Sequence, residues 1–313
     1  MHMNSLKNCY VEVDAVITSF NQKTMISEAV ASLKSQTIKP KRIIIVDDGS
    51  TDQESLDVLH SIENDNDLGI SIRIIYQENA GVSTARNTGI RNTEAPMVLI
   101  LDGDDKNEST YIECVSKLLY EHPTMVAASS WMKTFGVLDA VVRPSGGNIV
   151  SFLSHNCCPA THIFRRKVFE KCGGYDESMR SGYEDWDFFL SILESEKGSC
   201  IGIVNETLLQ YRTTSASSNI KSMTKRLELM KYIIEKHKES YYENFVDVLL
   251  EIEFISNTRL YMFEDEIIHS ISNKQEISDK SKEFLKEPTY GDGGMASAVR
   301  IASNIKNTHK CFT

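Results

Sequence analysis

The chain has 313 residues, enough for one large domain or for a medium domain with a smaller companion. Its composition, 41% hydrophobic and 25% charged, excludes disorder over most of its length. With 34 basic and 44 acidic residues the formal charge is −10, which argues against nucleic acid or anionic lipid as a broad partner. No run approaches the roughly 18 to 20 apolar residues that cross a bilayer. The N-terminus shows no cleavable leader, so a cytoplasmic protein is expected, with peripheral contact at the inner face of a membrane left open. Seven cysteines, an odd number with no CxxC spacing, read as thiols of a reducing compartment.

The first 130 residues alternate regularly. Val11 to Thr18 reads as a strand. Ile26, Ala29, Val30 and Leu33 then recur at helical spacing up to the break at Pro40. The apolar run Ile43-Ile44-Ile45-Val46 predicts a strand buried on both faces. After Asp47-Asp48-Gly49, Ser50 with Gln53 and Thr51 with Glu54 form two overlapping capping boxes at the start of a helix. Ile70 to Tyr76 is a third strand, Ser83 to Arg91 a helix and Met97 to Leu101 a fourth strand. A helix from Tyr111 and a fifth strand, Met125 to Ser130, follow. Such alternation means an α/β fold with βαβ units and a mostly parallel sheet flanked by helices. Residues 131–160 are mixed. A helix around Trp186 to Ile192 and a late strand, Ile201 to Tyr211, come next, and beyond residue 215 the pattern is helical. Two regions are therefore expected, 9–215 and a C-terminal helical appendage over 216–313, whose apolar runs suit core packing or a homodimer interface.

Ligands of open parallel sheets bind beyond the carboxyl ends of the strands. Three such ends are polar here: Thr18-Ser19-Phe20-Asn21, Asp47-Asp48-Gly49-Ser50 and Asp102-Gly103-Asp104-Asp105. The last follows an apolar strand, so its carboxylates must emerge at the tip. Carboxylates one residue apart repel unless a positive group sits among them, and together they can share a hard divalent cation, Mg²⁺ or Mn²⁺.

The ordered segments VDAVITSFN, IIIVDDGSTD, ENAGVSTARNTGI, VLILDGDD and GGYDESMRSGYEDWDFFL resemble the family 2 glycosyltransferases of the Rossmann-like GT-A fold, over about residues 9 to 215. The resemblance implies an inverting transfer from a nucleotide-diphosphate sugar, most often a UDP-sugar, to a glycan, lipid-linked or protein acceptor. It implies that Thr18, Phe20 and Asp48 hold the nucleoside and that Arg86 orders that side of the site. Asp102 and Gly103 would meet the ribose or the metal's water, with Asp102 also offered to the metal. Asp104 would ligate the metal and Asp105 would position the sugar or acceptor.

In Glu184-Asp185-Trp186-Asp187 the resemblance assigns the general base to Asp185, with Glu184 as second choice. Trp186 would stack on a sugar or sit in the core. Tyr211-Arg212 matches a late family segment but lacks the His that often follows, which puts a nitrogen ligand to the metal in doubt and leaves Arg212 to neutralise phosphate. His155 and His162 fit structural roles better than acceptor contact. A haloacid-dehalogenase phosphatase would carry its Asp-x-Asp on the first strand, and a nucleotidyltransferase would show a basic Gly-rich loop after that strand; neither pattern is present. The rival of another class is a non-catalytic nucleotide-sugar or glycan-binding module on a decayed transferase fold.

Overall fold

In the computed structural model, residues 11–64, 69–215, 218–273 and 275–310 are described. The chain divides into two compact units, the first running to Asn244 and the second starting at Phe245. The division expected after residue 215 therefore falls about one helical hairpin later. The reason is packing within the first unit, described below.

One sheet carries nine strands: β1 (Val13–Ser19), β2 (Arg42–Asp47), β3 (Ser71–Tyr76), β4 (Met97–Asp102), β5 (Lys106–Asn107), β6 (Met125–Gly136), β7 (Val141–Val142), β8 (His162–Arg165) and β9 (Cys200–Thr213). The order is β3-β2-β1-β4-β8-β6-β9-β5, with β7 on β6. The first four are parallel, as the alternation predicts. Beyond β4 the sheet turns mixed, because β8 enters antiparallel between β4 and β6. β1 and β2 are buried almost throughout, since helices cover both faces.

Among the described residues, seven helices of the first unit frame the sheet: α1 (Met25–Lys34), α2 (Gln53–Glu63), α3 (Val82–Arg91), α4 (Tyr111–Glu121), α5 (Ile149–Ser154), α6 (Arg166–Cys172) and α7 (Glu184–Ser195). The N-cap of α2 is Asp52, whose side chain accepts from Ser55 N at 3.0 Å, and neither predicted capping box forms. Ser50 instead donates to Asp47 at 2.6 Å and accepts from Asn21 N at 2.8 Å, tying the β1 and β2 tips together. Three further helices, α8 (Ser218–Thr224), α9 (Arg226–Lys236) and α10 (Lys238–Glu243), belong to this unit. α9 buries Leu229 and Ile233. Lys236 Nζ reaches Asp187 at 2.8 Å and Asp176 at 2.7 Å, His237 bonds Asp187 and Glu194, and Tyr241 donates to Leu153 O.

The second unit holds α11 (Phe245–Ser272), α12 (Asp279–Lys286) and α13 (Gly294–Lys310). α11 runs unbroken for 28 residues. Glu264, buried on α11, receives Arg300 and Ser297 from α13. Among the described residues no helix is long and apolar enough to cross a membrane.

Strand order reverses beside β1: the chain leaves it toward β2 and β3, then returns to its other side as β4. In register Thr18 pairs with Asp102 and Ser19 with Asp47, so the three polar strand tips stand side by side. α3 lies close against this edge because it has a glycine where it meets the sheet. A Cβ at Gly89 would collide with Val16 Cγ1 and come within 3.2 Å of Val46 Cγ2. Gly89→Ala is predicted to lift α3 off β1 and β2 and to destabilise the fold by about 1–3 kcal/mol, the usual range for overpacking, read as a lower midpoint in urea.

Candidate active site

A cleft of about 920 Å³ opens above the strand tips. Its walls include Thr18, Phe20, Asp48, Arg86, Asp102, Gly103, Asp104, Glu184, Tyr211 and Arg212, so most of the candidate residues, drawn from distant stretches of chain, share one space.

The floor is an ion-pair chain. Arg86 on α3 is 1% exposed and donates to Asp102 Oδ1 at 2.9 Å and to Glu184 Oε1 at 2.9 Å. A buried guanidinium with two carboxylates satisfies its charge through geometry that lysine lacks. Thr18 Oγ1 also donates to Asp102 Oδ1, at 3.4 Å. One oxygen of Asp102 is thus committed within the protein. Gly103 sits under the turn because a Cβ there would lie 2.6 Å from Thr18 O.

At one end of the cleft Asp48 is held by Gln77 Nε2 at 2.7 Å, Ala80 N at 2.9 Å and Gly81 N at 2.8 Å. Phe20 is 47% exposed there, an aromatic face open to a flat ligand. Gln77 was silent in the sequence, being one polar residue past β3.

Asp104 is mostly buried, and that burial, followed by the neighbouring charge of Asp102, pushes its carboxyl up to about 6. Arg212 crosses behind it: its Nε donates to Asp104 O at 2.9 Å and its Nη2 to Glu28 at 3.1 Å, and its guanidinium lies over the Phe135 ring. Asp105 does not face the cleft. It is buried below, accepts from Arg212 N at 2.8 Å and is pushed above the usual carboxylate range by that burial and then by Asp104. Its predicted contact with sugar or acceptor gives way to a role in fixing β9.

Asp185 is the second residue of α7, which follows Gly182 and Tyr183, both at positive φ, 106° and 69°. A bulky residue at positive φ is strained and is held here by its ring against Trp186 and by Arg226, which donates to its hydroxyl at 2.8 Å. Asp185 Oδ1 accepts from Trp186 N at 2.8 Å and Oδ2 from Asn156 Nδ2 at 3.0 Å. Burial, then the charge of Glu184, pushes its carboxyl up to about 7.

Trp186 corrects an expectation: it is 1% exposed, donates to Phe152 O at 2.6 Å and offers no face to a sugar. His162 is fully buried among Phe164, Phe188 and Phe189, and burial pushes it down to about 3, so it stays neutral. His155 turns toward Ser154 and Cys157. Neither lines the cleft. Sequence reasoning also missed Asn156, Arg180, Lys221 and Lys225; the last three line the cleft, Arg180 from within the segment before Glu184 and the two lysines from a stretch without a recognisable motif.

The family described as glycosyl transferase family 2 matches residues 14–173. The chain is 26% identical over 251 residues to an Escherichia coli UDP-Gal:alpha-D-GlcNAc-diphosphoundecaprenol beta-1,3-galactosyltransferase, covering 76% of this chain and 85% of that one. It is 32% identical over 122 residues to the Streptococcus pneumoniae glycosyltransferase GlyA, covering 38% of this chain but only 17% of that longer protein. In fold it is similar to S. aureus TarS 1-349 in complex with UDP-GlcNAc, with a TM-score of 0.57 at 14% identity over 96% of this chain and 91% of that one. Against the same protein in complex with UDP the TM-score is 0.56 at 16% identity, with the same coverage. The family match spans about half of the sequence and the fold encloses a strand-tip cleft, so the chain belongs to glycosyl transferase family 2 and is a glycosyltransferase of the GT-A fold.

Proposed function

We propose that the chain moves a sugar from a UDP-sugar to an acceptor hydroxyl with inversion at the anomeric carbon, and that Asp185 is the base. The observation that carries this reading is the cleft joining Phe20 and Asp48 to the Asp102–Asp104 turn and to the start of α7. The S. aureus protein of similar fold is seen with UDP and UDP-GlcNAc, and the E. coli relative is named for a UDP-sugar, which supports the choice of donor.

The base stacks on Phe20, while Asp48, held rigid by two backbone N–H groups, accepts from its imide. The diphosphate lies toward Asp104 and Arg212. A buried carboxyl raised to about 6 beside a second carboxylate fits a hard divalent cation, whose arrival would favour the ionised form of Asp104. Asp104, with the uncommitted oxygen of Asp102, would hold Mg²⁺ or Mn²⁺. When bound, the ion would neutralise charge building on the departing diphosphate.

Asp185 accepts the acceptor's hydroxyl proton as that oxygen bonds to the anomeric carbon and the bond to the nucleotide breaks. Its two hydrogen bonds point the carboxylate, and its raised pKa makes it a stronger base than an ordinary aspartate. Glu184, bound to Arg86, is a positioning residue.

Asp185→Asn is predicted to cut the transfer rate about 10² to 10⁴-fold while UDP affinity changes less than about twofold, measured by product formation and calorimetry. Because burial raises the pKa of this base, its active form is lost as pH falls. The rate should therefore decline below a limb near pH 7, and the Asn variant should lose that limb. Asp104→Ala should abolish transfer and weaken UDP binding in the presence of Mn²⁺, bringing it to the level found with chelator. Unchanged transfer by either variant removes the corresponding role.

A further inference from the structure

Tyr211 plays no part in the scheme above. It lies on β9 and lines the cleft, half-buried. Among the described residues its hydroxyl has no hydrogen-bond partner. Its neighbours in the cleft are committed: Arg86 to Asp102 and Glu184, Arg212 to Asp104 O and Glu28, and one oxygen of Asp102 to Arg86 and Thr18. Other tyrosines have found partners, Tyr111 in Ser129, Tyr183 in Arg226 and Tyr241 in Leu153 O. A polar group that a bound ligand closes off from water needs its partner from that ligand.

The backbone holds this side chain in place. Tyr211 pairs with Thr134 on β6, Gln210 before it pairs with Lys106 on β5, and Arg212 N after it donates to Asp105 at 2.8 Å. A ring carried on a strand bonded along both edges keeps its aim, as recognition of one geometry requires. Burial raises the phenol above its usual range, and the charges of Asp105, Asp102, Asp104 and Asp185 add to that in this order, so the hydroxyl keeps its proton and can donate. Those carboxylates stand on both sides of the reaction: the first three on the turn after β4, the last at the start of α7. In the scheme above the transferred sugar lies between that turn, where its diphosphate is bound, and Asp185, where the acceptor's hydroxyl gives up its proton. A phenol acted on from both sides stands beside that space.

We propose that the Tyr211 hydroxyl donates a hydrogen bond to one hydroxyl of the transferred sugar and so helps to decide which sugar the enzyme accepts. This rests on the donor reading above. The contact goes to the sugar rather than to the diphosphate, because the scheme already assigns the phosphate charge to Arg212 and the cation. A site built around such a bond rejects a sugar that lacks the hydroxyl, or carries it on the other face of the ring, since the phenol is then left unpaired.

The test uses the full chain with Mn²⁺ and titrates UDP, UDP-glucose, UDP-galactose and UDP-GlcNAc, with GDP and GDP-mannose as a pair of another base. Tyr211→Phe keeps the ring and removes the hydroxyl. It should bind UDP within about twofold of the unaltered protein, which also shows that it folds, and the preferred UDP-sugar about three- to tenfold more weakly, the usual worth of one uncharged hydrogen bond. Deoxy analogues of that donor, each lacking one sugar hydroxyl, are then titrated against both proteins. For one analogue the substitution should have no further effect, and that analogue identifies the hydroxyl bound. The contact is overturned if Tyr211→Phe binds the preferred donor as well as the unaltered protein does, if it loses UDP affinity by the same factor, or if every deoxy analogue is weakened by the substitution as much as the parent. Binding of GDP-mannose without the UDP compounds would overturn the donor reading alone, and Tyr211 is then judged on the GDP pair. Binding of none of the sugar nucleotides overturns both.

Discussion

Arg86 is the joint on which the site depends. It comes from α3, is sealed from water, and joins the tip of β4 to the first residue of α7, segments 82 residues apart in sequence by the positions of Asp102 and Glu184. A buried guanidinium left without partners would be costly, so the pair of contacts holds both carboxylates in place as firmly as they hold it. The strand-tip side of the cleft and the start of α7 are therefore registered to one another through a single side chain.

The rest of the fold serves that registration. Gly89 lets α3 lie flush on β1 and β2 and so brings Arg86 under the strand tips. Asn87, beside it, accepts from Tyr175 N and donates to Tyr175 O and Glu177, which fixes the Gly-Gly turn preceding α7. On the far side, Lys236 and His237 grip Asp187 and keep α7 from rotating. Burial raises Asp185 and Asp104 for the same reason: each is withdrawn from water next to another carboxylate.

Much of this was legible in the letters. The alternation to residue 130 announced five strands of a mostly parallel sheet, of which the first four do pair in parallel, and the polar tips at 18, 48 and 102 met as predicted because β1, β2 and β4 are neighbours. What was not legible had physical causes. Trp186 shares its segment with Glu184 and Asp185, yet helical rotation turns it into the core, and only packing shows which of the two roles it plays. Asp105 lies next to Asp104, but the turn aims them to opposite sides. The mixed half of the sheet escaped notice because β8 is four residues long and antiparallel, with no crossover helix to mark it. The region boundary moved because α8 to α10 read as helices like those that follow, while their partners, Asp187 and Glu194, lie far back in the sequence.

Glu184 and Asp185 are adjacent, yet one bonds Arg86 and the other Asn156. The two acids differ by one methylene, and each stands where its length suits it. The longer arm spans the gap to a guanidinium below the helix; the shorter keeps its carboxylate tight against the peptide N–H of Trp186. Transposing the two letters would preserve charge and composition but leave one arm short and the other slack, so at this spot chemical identity is a question of reach.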